Sequence, residues 1–199
     1  MADRAANGNA LPRDLQPHAS CFNAGRLQPA AIPNSINASQ PFELRTLRDA
    51  FGCFATGVTI ITGRGADGVS VGLTANSFTS LSLDPPLLLF CPAKSASALP
   101  VLRSAGRFAV NVLHLESETV ANRFATRNVD RFADAVWEDW DGLPILADAL
   151  ASFACSLHAE HDGGDHIIMV GRIERLRYEH ARDPLLYVKG SYRRVHTPQ

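Results

Sequence analysis

The chain has 199 residues, of which 46% are hydrophobic and 20% are charged, and this balance is typical of one soluble globular domain. Its net charge of −1 gives no basic excess to neutralise phosphates, so a nucleic-acid-binding function is not expected. No apolar run approaches the roughly 18 residues of a membrane helix, so we expect no membrane-spanning segment.

Residues 1–40 differ in composition from the rest of the chain. They contain four prolines among many Ala, Asn, Gln and Ser residues, and their apolar residues follow no period. This predicts a disordered or loosely packed N-terminal extension, followed by one domain over 41–199. The extension has no apolar core of a signal peptide, and the four scattered cysteines form no C-x-x-C pair. We therefore expect a cytoplasmic protein with reduced thiols and no metal site.

The domain is predicted to begin with a helix and a strand. Apolar residues recur at helical spacing over 42–54, which predicts an amphipathic helix, and β-branched residues over 58–62 predict a strand. The next six residues, Gly63 to Gly68, match G-x-G-x-x-G. A dinucleotide-binding loop requires a helix after this motif, but the residues that follow alternate as a strand does. We therefore interpret Asp67-Gly68 as a hairpin turn.

The stretch from Gly72 to Pro86 is rich in hydroxyl side chains and almost free of charge. Its apolar residues recur among Thr and Ser, which suits a wall that presents hydroxyls and backbone N–H groups to a polar ligand. The alternative is an edge strand with Thr and Ser on its solvated face.

A second hydroxyl-rich loop, Cys91 to Ala98, follows a short buried strand near 87–91. The two loops flank one strand and can therefore face each other across its end. Lys94 is the only cation that they contain. This combination fits a phosphate bound by hydroxyls, backbone N–H groups and one ammonium.

The remaining elements predict a mainly β fold. Short helices are expected over 97–104 and 116–127, and an irregular, turn-rich segment over 137–146. Strands are predicted near 57–63, 69–75, 87–91, 107–113, 153–161 and 166–177, which favours an antiparallel barrel. Three histidines between His158 and His166 invite a metal site, but His158 and His161 would point to opposite faces of a strand. An exposed hairpin tip over 162–165 is the preferred interpretation.

The run Thr74 to Pro86 is similar to the signature of the flavin reductase-like, FMN-binding split-barrel family. Further phrases follow in family order: Phe-x-Val-Asn-x-Leu at 108–113, Gly-Asp-His-x-Ile-x-x-Gly at 164–171 and Pro-Leu-x-Tyr-x-x-Gly-x-Tyr at 184–192. The resemblance covers about residues 42–195. It implies an antiparallel Greek-key split β-barrel, commonly a homodimer with flavin near the subunit interface.

The resemblance also implies NAD(P)H-dependent reduction of FMN, with FAD possible and with NADH or NADPH as cosubstrate. Reduced flavin would then be supplied to a partner monooxygenase. His166 would position the nicotinamide. The implied flavin contacts are Thr74, Ala75, Asn76 and Ser77 for the ring and ribityl chain, Ser80, Lys94, Ser95 and Ser97 for the ribityl chain and phosphate, Cys91 in the second loop, and Asn111 and Tyr192 at the ring.

Several of these roles have simpler alternatives. Asn111 could be a strand residue that faces solvent, and Tyr192 could be an edge aromatic that caps the core. Arg123 and Arg131 could contact a dinucleotide phosphate or lie on a solvated surface. Many family members carry Ser or Arg where this chain has Cys91 and Lys94, which leaves the choice between FMN and FAD open.

Two rival functions use a related pocket. A flavin-binding electron-transfer or storage module would bind flavin without reducing added flavin at the expense of NAD(P)H. A pyridoxamine-phosphate oxidase-like enzyme would need several Arg or Lys residues at its phosphate site, whereas the two loops supply only Lys94.

Overall fold

The computed structural model describes residues 41–195, so the predicted extension over 1–40 lies outside the described residues. Three helices and twelve strands are present there, and one 3-10 turn spans Leu115–Ser117. The helices are α1 (Leu44–Phe51), α2 (Leu99–Ala105) and α3 (Glu118–Ala125). The strands are β1 (Thr56–Gly57), β2 (Thr59–Arg64), β3 (Ser70–Ala75), β4 (Thr79–Leu83), β5 (Pro86–Phe90), β6 (Arg107–Val112), β7 (Trp137–Trp140), β8 (Leu143–Leu146), β9 (Ala151–Gly163), β10 (His166–Tyr178), β11 (Leu186–Val188) and β12 (Ser191–Arg193).

The main sheet has seven strands in the order β3-β2-β6-β9-β10-β5-β4, and every neighbouring pair is antiparallel. Strand β2 is buried on both faces, because Ile61 packs into one apolar cluster with Phe90 and Phe108, while Ile60 packs into another with Phe124. Alternation of side chains along a strand explains how consecutive isoleucines reach opposite clusters. The predicted strands are all present in this antiparallel architecture.

The glycine-rich segment after β2 is a hairpin turn. Strand β3 pairs with β2 from Arg64 opposite Ser70 to Thr59 opposite Ala75, and Gly68 has a φ of +82°. A residue with side chain rarely adopts this backbone conformation, which explains the glycine. Because a strand follows the motif, it cannot aim a helix at a pyrophosphate, and the rejection of a dinucleotide-binding loop is confirmed.

Two segments of the β structure differ from the prediction. Residues 137–146 form a hairpin of β7 and β8 that turns at Asp141 and Gly142, both at positive φ, where an irregular segment was expected. The hydroxyl-rich stretch is divided between two structures. Its first part ends β3 and its second part is β4, an edge strand whose Leu83 side chain is 95% exposed.

Helix α1 is shorter than predicted and none of its residues is buried. Its C-terminal end is held by the turn between β11 and β12, because the Lys189 N–H donates to the Gly52 carbonyl at 2.7 Å. The apolar side chains of Leu44 and Phe51 are each 72% exposed. Within residues 41–195, no helix is long and apolar enough to cross a membrane.

Candidate functional site

A cleft of about 880 Å³ lies between the end of β3, the loop over 91–98 and the turn that follows α3. Eight of the twelve predicted site residues line it: Thr74, Ala75, Asn76, Ser77, Cys91, Ser95, Ser97 and His166. The two hydroxyl-rich loops therefore face each other, as their order along the chain suggested.

Two of the predicted hydroxyls hold the walls of the cleft together. The Ser77 hydroxyl accepts from the Cys91 N–H at 2.9 Å and donates to the Cys91 carbonyl at 3.3 Å, which joins the two loops. The Thr74 hydroxyl donates to the Ala121 carbonyl of α3 at 2.6 Å. The hydroxyl hydrogens of Ser77 and Thr74 are therefore already donated to carbonyl groups of the protein. Asn76, Ser95 and Ser97 are exposed in the cleft and keep their polar groups for a ligand.

The loop over 91–98 is tied to the tip of the β9–β10 hairpin. The Lys94 N–H donates to the Asp165 carbonyl at 2.9 Å, and the Ile167 N–H donates to the Pro92 carbonyl at 3.0 Å. The Lys94 ammonium pairs with the Asp162 carboxylate at 2.5 Å and is not part of the cleft lining. Lys94 holds the pKa of Asp162 below its ordinary value, helped by the Gly164 N–H, so the Asp162 carboxylate is ionised near neutral pH.

His166 lies at the start of β10 with its side chain half exposed. Its Nδ1 is 2.7 Å from the Asp165 carboxylate, which can only accept a hydrogen bond, so Nδ1 carries the hydrogen and Nε2 remains for a ligand. The imidazole lowers the pKa of Asp165. No group of three His, Cys, Asp or Glu side chains suited to a metal ion occurs between residues 41 and 195.

The opposite wall depends on the contact between β3 and α3. A Cβ at Gly72 would lie 2.6 Å from the Phe124 ring and 2.7 Å from the Ile61 carbonyl, so only glycine allows α3 to approach this closely. Phe124 in turn packs edge-on against Phe132 with ring centroids 5.2 Å apart. The turn between these two aromatic residues is thereby held over the cleft.

This turn brings two arginines to the cleft, Arg127 and Arg131. Arg131 donates to the Gly72 carbonyl at 3.0 Å and twice to the Thr126 carbonyl, at 3.2 and 3.3 Å. Three of its five N–H donors are used by neutral acceptors, so two donors and the full charge remain. Arg127 was missed by sequence reasoning because its position depends on the turn, in which Asn128 adopts a φ of +60°.

A comparison with known proteins identifies the family. Residues 51–196 match the family model described as "Flavin reductase like domain". The chain belongs to this family. Similar proteins include a probable flavin reductase of Rhizobium meliloti, 48% identical over 155 residues, which are 77% of this chain and 50% of that protein. The chain therefore spans about half the length of this relative.

Two further relatives are matched over most of their length. The reductase subunit HsaB of a flavin-dependent monooxygenase from Rhodococcus jostii is 43% identical over 78% of this chain and 80% of the subunit. The NADH:FAD oxidoreductase SgcE6 of Streptomyces globisporus, solved with NAD and FAD fragments, is 40% identical with a TM-score of 0.73. That match covers 76% of this chain and 92% of SgcE6. The mainly β, split-barrel fold expected from the sequence is confirmed by the structural match to this flavin reductase.

Asn111 requires a correction within this flavin reductase like domain. Its side chain is fully buried, where it was expected to contact the ring or to face solvent. The amide nitrogen donates to the Ile60 carbonyl at 3.2 Å, and the amide oxygen accepts from the Leu146 N–H and from Ser152. Because protein groups use both ends of the amide, Asn111 stabilises the centre of the main sheet and is unavailable to a ligand.

Three other predicted residues lie away from the cleft lining. Ser80 is exposed on β4 at the sheet edge, and Lys94 is paired with Asp162. Tyr192 stacks edge-on against Tyr187 in the small sheet, with centroids 5.4 Å apart, and burial raises the pKa of its phenol. Cys91 does line the cleft, and burial raises the pKa of its thiol, which keeps it protonated near neutral pH.

Proposed function

We propose that the protein is an NAD(P)H-dependent flavin reductase that uses the cleft of about 880 Å³ between its two hydroxyl-rich loops. The observation that carries this proposal is the meeting of Asn76, Ser95 and Ser97 with His166 in one cleft of a flavin reductase like domain. A bound flavin would supply the redox chemistry by accepting a hydride from the nicotinamide.

The residues of the cleft suit a flavin mononucleotide. Asn76 and the backbone around it offer hydrogen bonds to the polar edge of a ring, while Leu73, Ala75 and Pro92 offer apolar contacts. Ser95 and Ser97 provide hydroxyl donors for a phosphate, and Arg131 provides the positive charge that Lys94 gives to Asp162. We propose FMN on this basis, with FAD as the second candidate.

His166 is proposed to position the nicotinamide. Asp165 fixes the hydrogen on Nδ1 and leaves Nε2 beside the cleft, where it can bind a carboxamide group. A hydrogen-bonding role needs no proton transfer to the reacting atoms, so His166 is assigned to orientation.

The partners are proposed from the relatives. HsaB is described as the reductase subunit of a flavin-dependent monooxygenase, and we propose that this chain likewise supplies reduced flavin to a monooxygenase in the cytoplasm. A homodimer is proposed because α1 has no buried residue and displays Leu44 and Phe51, each 72% exposed. A second cleft beside α1 shares Asn76 and Ser77 with the first, so an apposed subunit would border the flavin site.

The alternative is a module that binds flavin for electron transfer or storage. The same cleft serves both functions, so only turnover separates them. The argument against a pyridoxamine-phosphate oxidase-like enzyme changes, because Arg127 and Arg131 add cations that the loops lack. The number of cations at the cleft no longer distinguishes a flavin reductase from a pyridoxamine-phosphate oxidase-like enzyme. The family match favours the flavin reductase.

The decisive experiment follows the loss of NADH or NADPH absorbance while FMN, FAD or riboflavin is added in turn. Saturable oxidation that depends on added flavin is expected. Stoichiometric flavin binding without turnover would favour the electron-transfer or storage module. Absence of both binding and turnover would refute a flavin function.

A further inference from the structure

The hairpin between β9 and β10 ends in a four-residue tip, Asp162 to Asp165, which directly precedes His166. The Asp165 carboxylate accepts from the Nδ1 of His166 at 2.7 Å. The Asp165 side chain is 92% exposed, so packing does little to fix its position. The direction of the imidazole therefore depends on how firmly the backbone of the tip is held.

Lys94 holds this tip at both of its ends. Its backbone N–H donates to the Asp165 carbonyl at 2.9 Å, and its ammonium pairs with the Asp162 carboxylate at 2.5 Å. The Asp162 carboxylate also accepts from the Gly164 N–H at 3.0 Å, which fixes the turn between the two ends. One residue of the neighbouring loop thus fixes the backbone that carries Asp165.

The loop that carries Lys94 is itself anchored beside His166. Ala93 forms an antiparallel bridge with His166, and the Ile167 N–H donates to the Pro92 carbonyl at 3.0 Å. The ammonium therefore reaches the tip from a fixed base. The hydrogen bond from His166 lowers the pKa of Asp165, and the charge of Lys94 lowers it further. Asp165 thus stays ionised and remains an acceptor for Nδ1.

The same ammonium is poorly placed to bind a flavin. Ser95 and Ser97 of its loop line the cleft, whereas Lys94 does not. Its charge is already paired with Asp162, and the opposite wall of the cleft carries Arg127 and Arg131. A role for Lys94 that acts through the hairpin tip agrees with these contacts better than a direct contact to phosphate.

We propose that Lys94 is a positioning residue for the nicotinamide, because it holds the hairpin tip so that Asp165 aims His166 into the cleft. This assignment rests on the proposed flavin reductase function and on the proposed contact between His166 and the carboxamide. It transfers Lys94 from the flavin phosphate to the nicotinamide. A change at Lys94 should therefore appear mainly in the KM for NAD(P)H and only weakly in the flavin affinity.

The test compares three variants by steady-state kinetics at saturating FMN. Lys94→Ala keeps the backbone N–H and removes only the ammonium, whereas Lys94→Arg keeps a cation for Asp162. Arg103→Ala is the matched control. Arg103 pairs with Glu160 of the same hairpin at 2.8 Å and is 43% exposed, against 44% for Lys94, but it contacts neither the tip nor the cleft.

We expect Lys94→Ala to raise the KM for NADH or NADPH about two- to fivefold, the range of an exposed ion pair, with kcat nearly unchanged. Lys94→Arg and Arg103→Ala should stay within about 1.5-fold of the wild type. An unchanged KM in Lys94→Ala, or an equal rise in Arg103→Ala, would overturn the proposal.

Combination with His166→Ala shows whether Lys94 acts through the imidazole. Residues that act through one contact are not additive, so adding Lys94→Ala to His166→Ala should change the KM by less than about 1.5-fold. If the second substitution raises the KM as much as it does in the wild type, Lys94 acts independently of His166 and the proposal fails.

A measurement without turnover separates this proposal from the proposed function. NMR of the histidine ring nitrogens in the flavin-free protein, at about pH 8, reports which nitrogen of a neutral imidazole carries the hydrogen. The His166 signal is assigned by its loss in His166→Ala. We expect the Nδ1–H form in the wild type and in Arg103→Ala, and a larger fraction of the Nε2–H form in Lys94→Ala.

Absence of NADH or NADPH oxidation with every flavin would contradict the proposed function. The NMR signal of His166 would still decide whether Lys94 orients the imidazole. A His166 signal that is the same in Lys94→Ala and the wild type would overturn the positioning role, with or without turnover.

Discussion

The two walls of the cleft hold their positive charges in different ways. On the wall formed by the loop over 91–98, the ammonium of Lys94 is paired with Asp162 of the neighbouring hairpin. On the wall formed by the turn after α3, Arg131 is bound only by the neutral carbonyls of Gly72 and Thr126. A charge fixed by carbonyls keeps its attraction for an anion, whereas a paired charge has lost most of it. Whether a cation can bind a phosphate therefore depends more on the groups that already bind the cation than on its distance from the phosphate site.

The largest effect is expected from Arg131→Ala. The variant removes the proposed phosphate ligand and leaves the buried Gly72 carbonyl without its donor, so we expect FMN affinity to fall more than about tenfold and stability to fall by about 1–2 kcal/mol. Fluorescence titration with FMN and riboflavin, together with urea unfolding, measures both effects. Riboflavin, which has no phosphate, should lose less affinity than FMN.

Arg131→Lys is the control for charge alone. A lysine keeps the positive charge but cannot bind both carbonyls and a phosphate as a guanidinium does, so intermediate FMN affinity is expected. Equal losses for FMN and riboflavin would show that Arg131 only supports the turn, and the contrast between the walls would then have no role in binding.

The second effect concerns the nicotinamide. His166→Ala should raise KM for NAD(P)H about three- to tenfold, the range of one or two hydrogen bonds, and leave the FMN affinity within about twofold. His158→Ala is the matched control, because His158 is exposed on the same hairpin and does not line the cleft. Steady-state kinetics at saturating FMN give both values. An unchanged nicotinamide KM would remove His166 from the site.

The two walls also differ in how much of their structure could be predicted from the sequence. The β-branched residues predicted β2 and the alternation predicted β3, and the placement of the two hydroxyl-rich loops on either side of one strand predicted that they meet. The Asp141-Gly142 turn carried the same hairpin signal as Asp67-Gly68, so the hairpin of β7 and β8 was within reach of the sequence. The pairing of Lys94 with Asp162 could not be predicted from the sequence, because these residues are 68 positions apart and are brought together only by the folded sheet.

Asn111 shows the same limit within a strand. Alternation correctly predicts β6, but it cannot reveal that a polar residue on this strand faces a buried network made by three other strands. The amide is used by Ile60, Leu146 and Ser152, which become neighbours only after folding. Burial of a polar side chain is stable when its partners are present, and those partners are set by tertiary structure.

A smaller effect is expected from Lys94→Ala. Because the ammonium is paired, its loss should weaken FMN by no more than about two- to threefold relative to riboflavin, less than the loss in Arg131→Ala. The pairing lowers the pKa of Asp162, so the carboxylate stays charged throughout the pH range in which an ordinary aspartate titrates. It is neutralised only when the pH falls below that range. The FMN affinity ratio of wild type to Lys94→Ala should therefore stay flat from neutral pH down through the ordinary pKa range of an aspartate. A tenfold loss would mean that Lys94 leaves Asp162 when the phosphate binds.

The smallest effect, and the one of opposite sign, is expected from Asp162→Asn. Asparagine keeps an oxygen for the Gly164 N–H, which is 3.0 Å away, but it removes the charge that holds Lys94. The released ammonium can then turn toward the phosphate, so FMN affinity should rise by about twofold while riboflavin affinity stays constant. Asp165→Asn is the control, because it removes a charge from the same hairpin tip but contacts His166, and it should alter the nicotinamide KM instead. If Asp162→Asn lowers FMN affinity, the Lys94–Asp162 pair shapes the loop that binds the phosphate, and the pair is a structural support of the site.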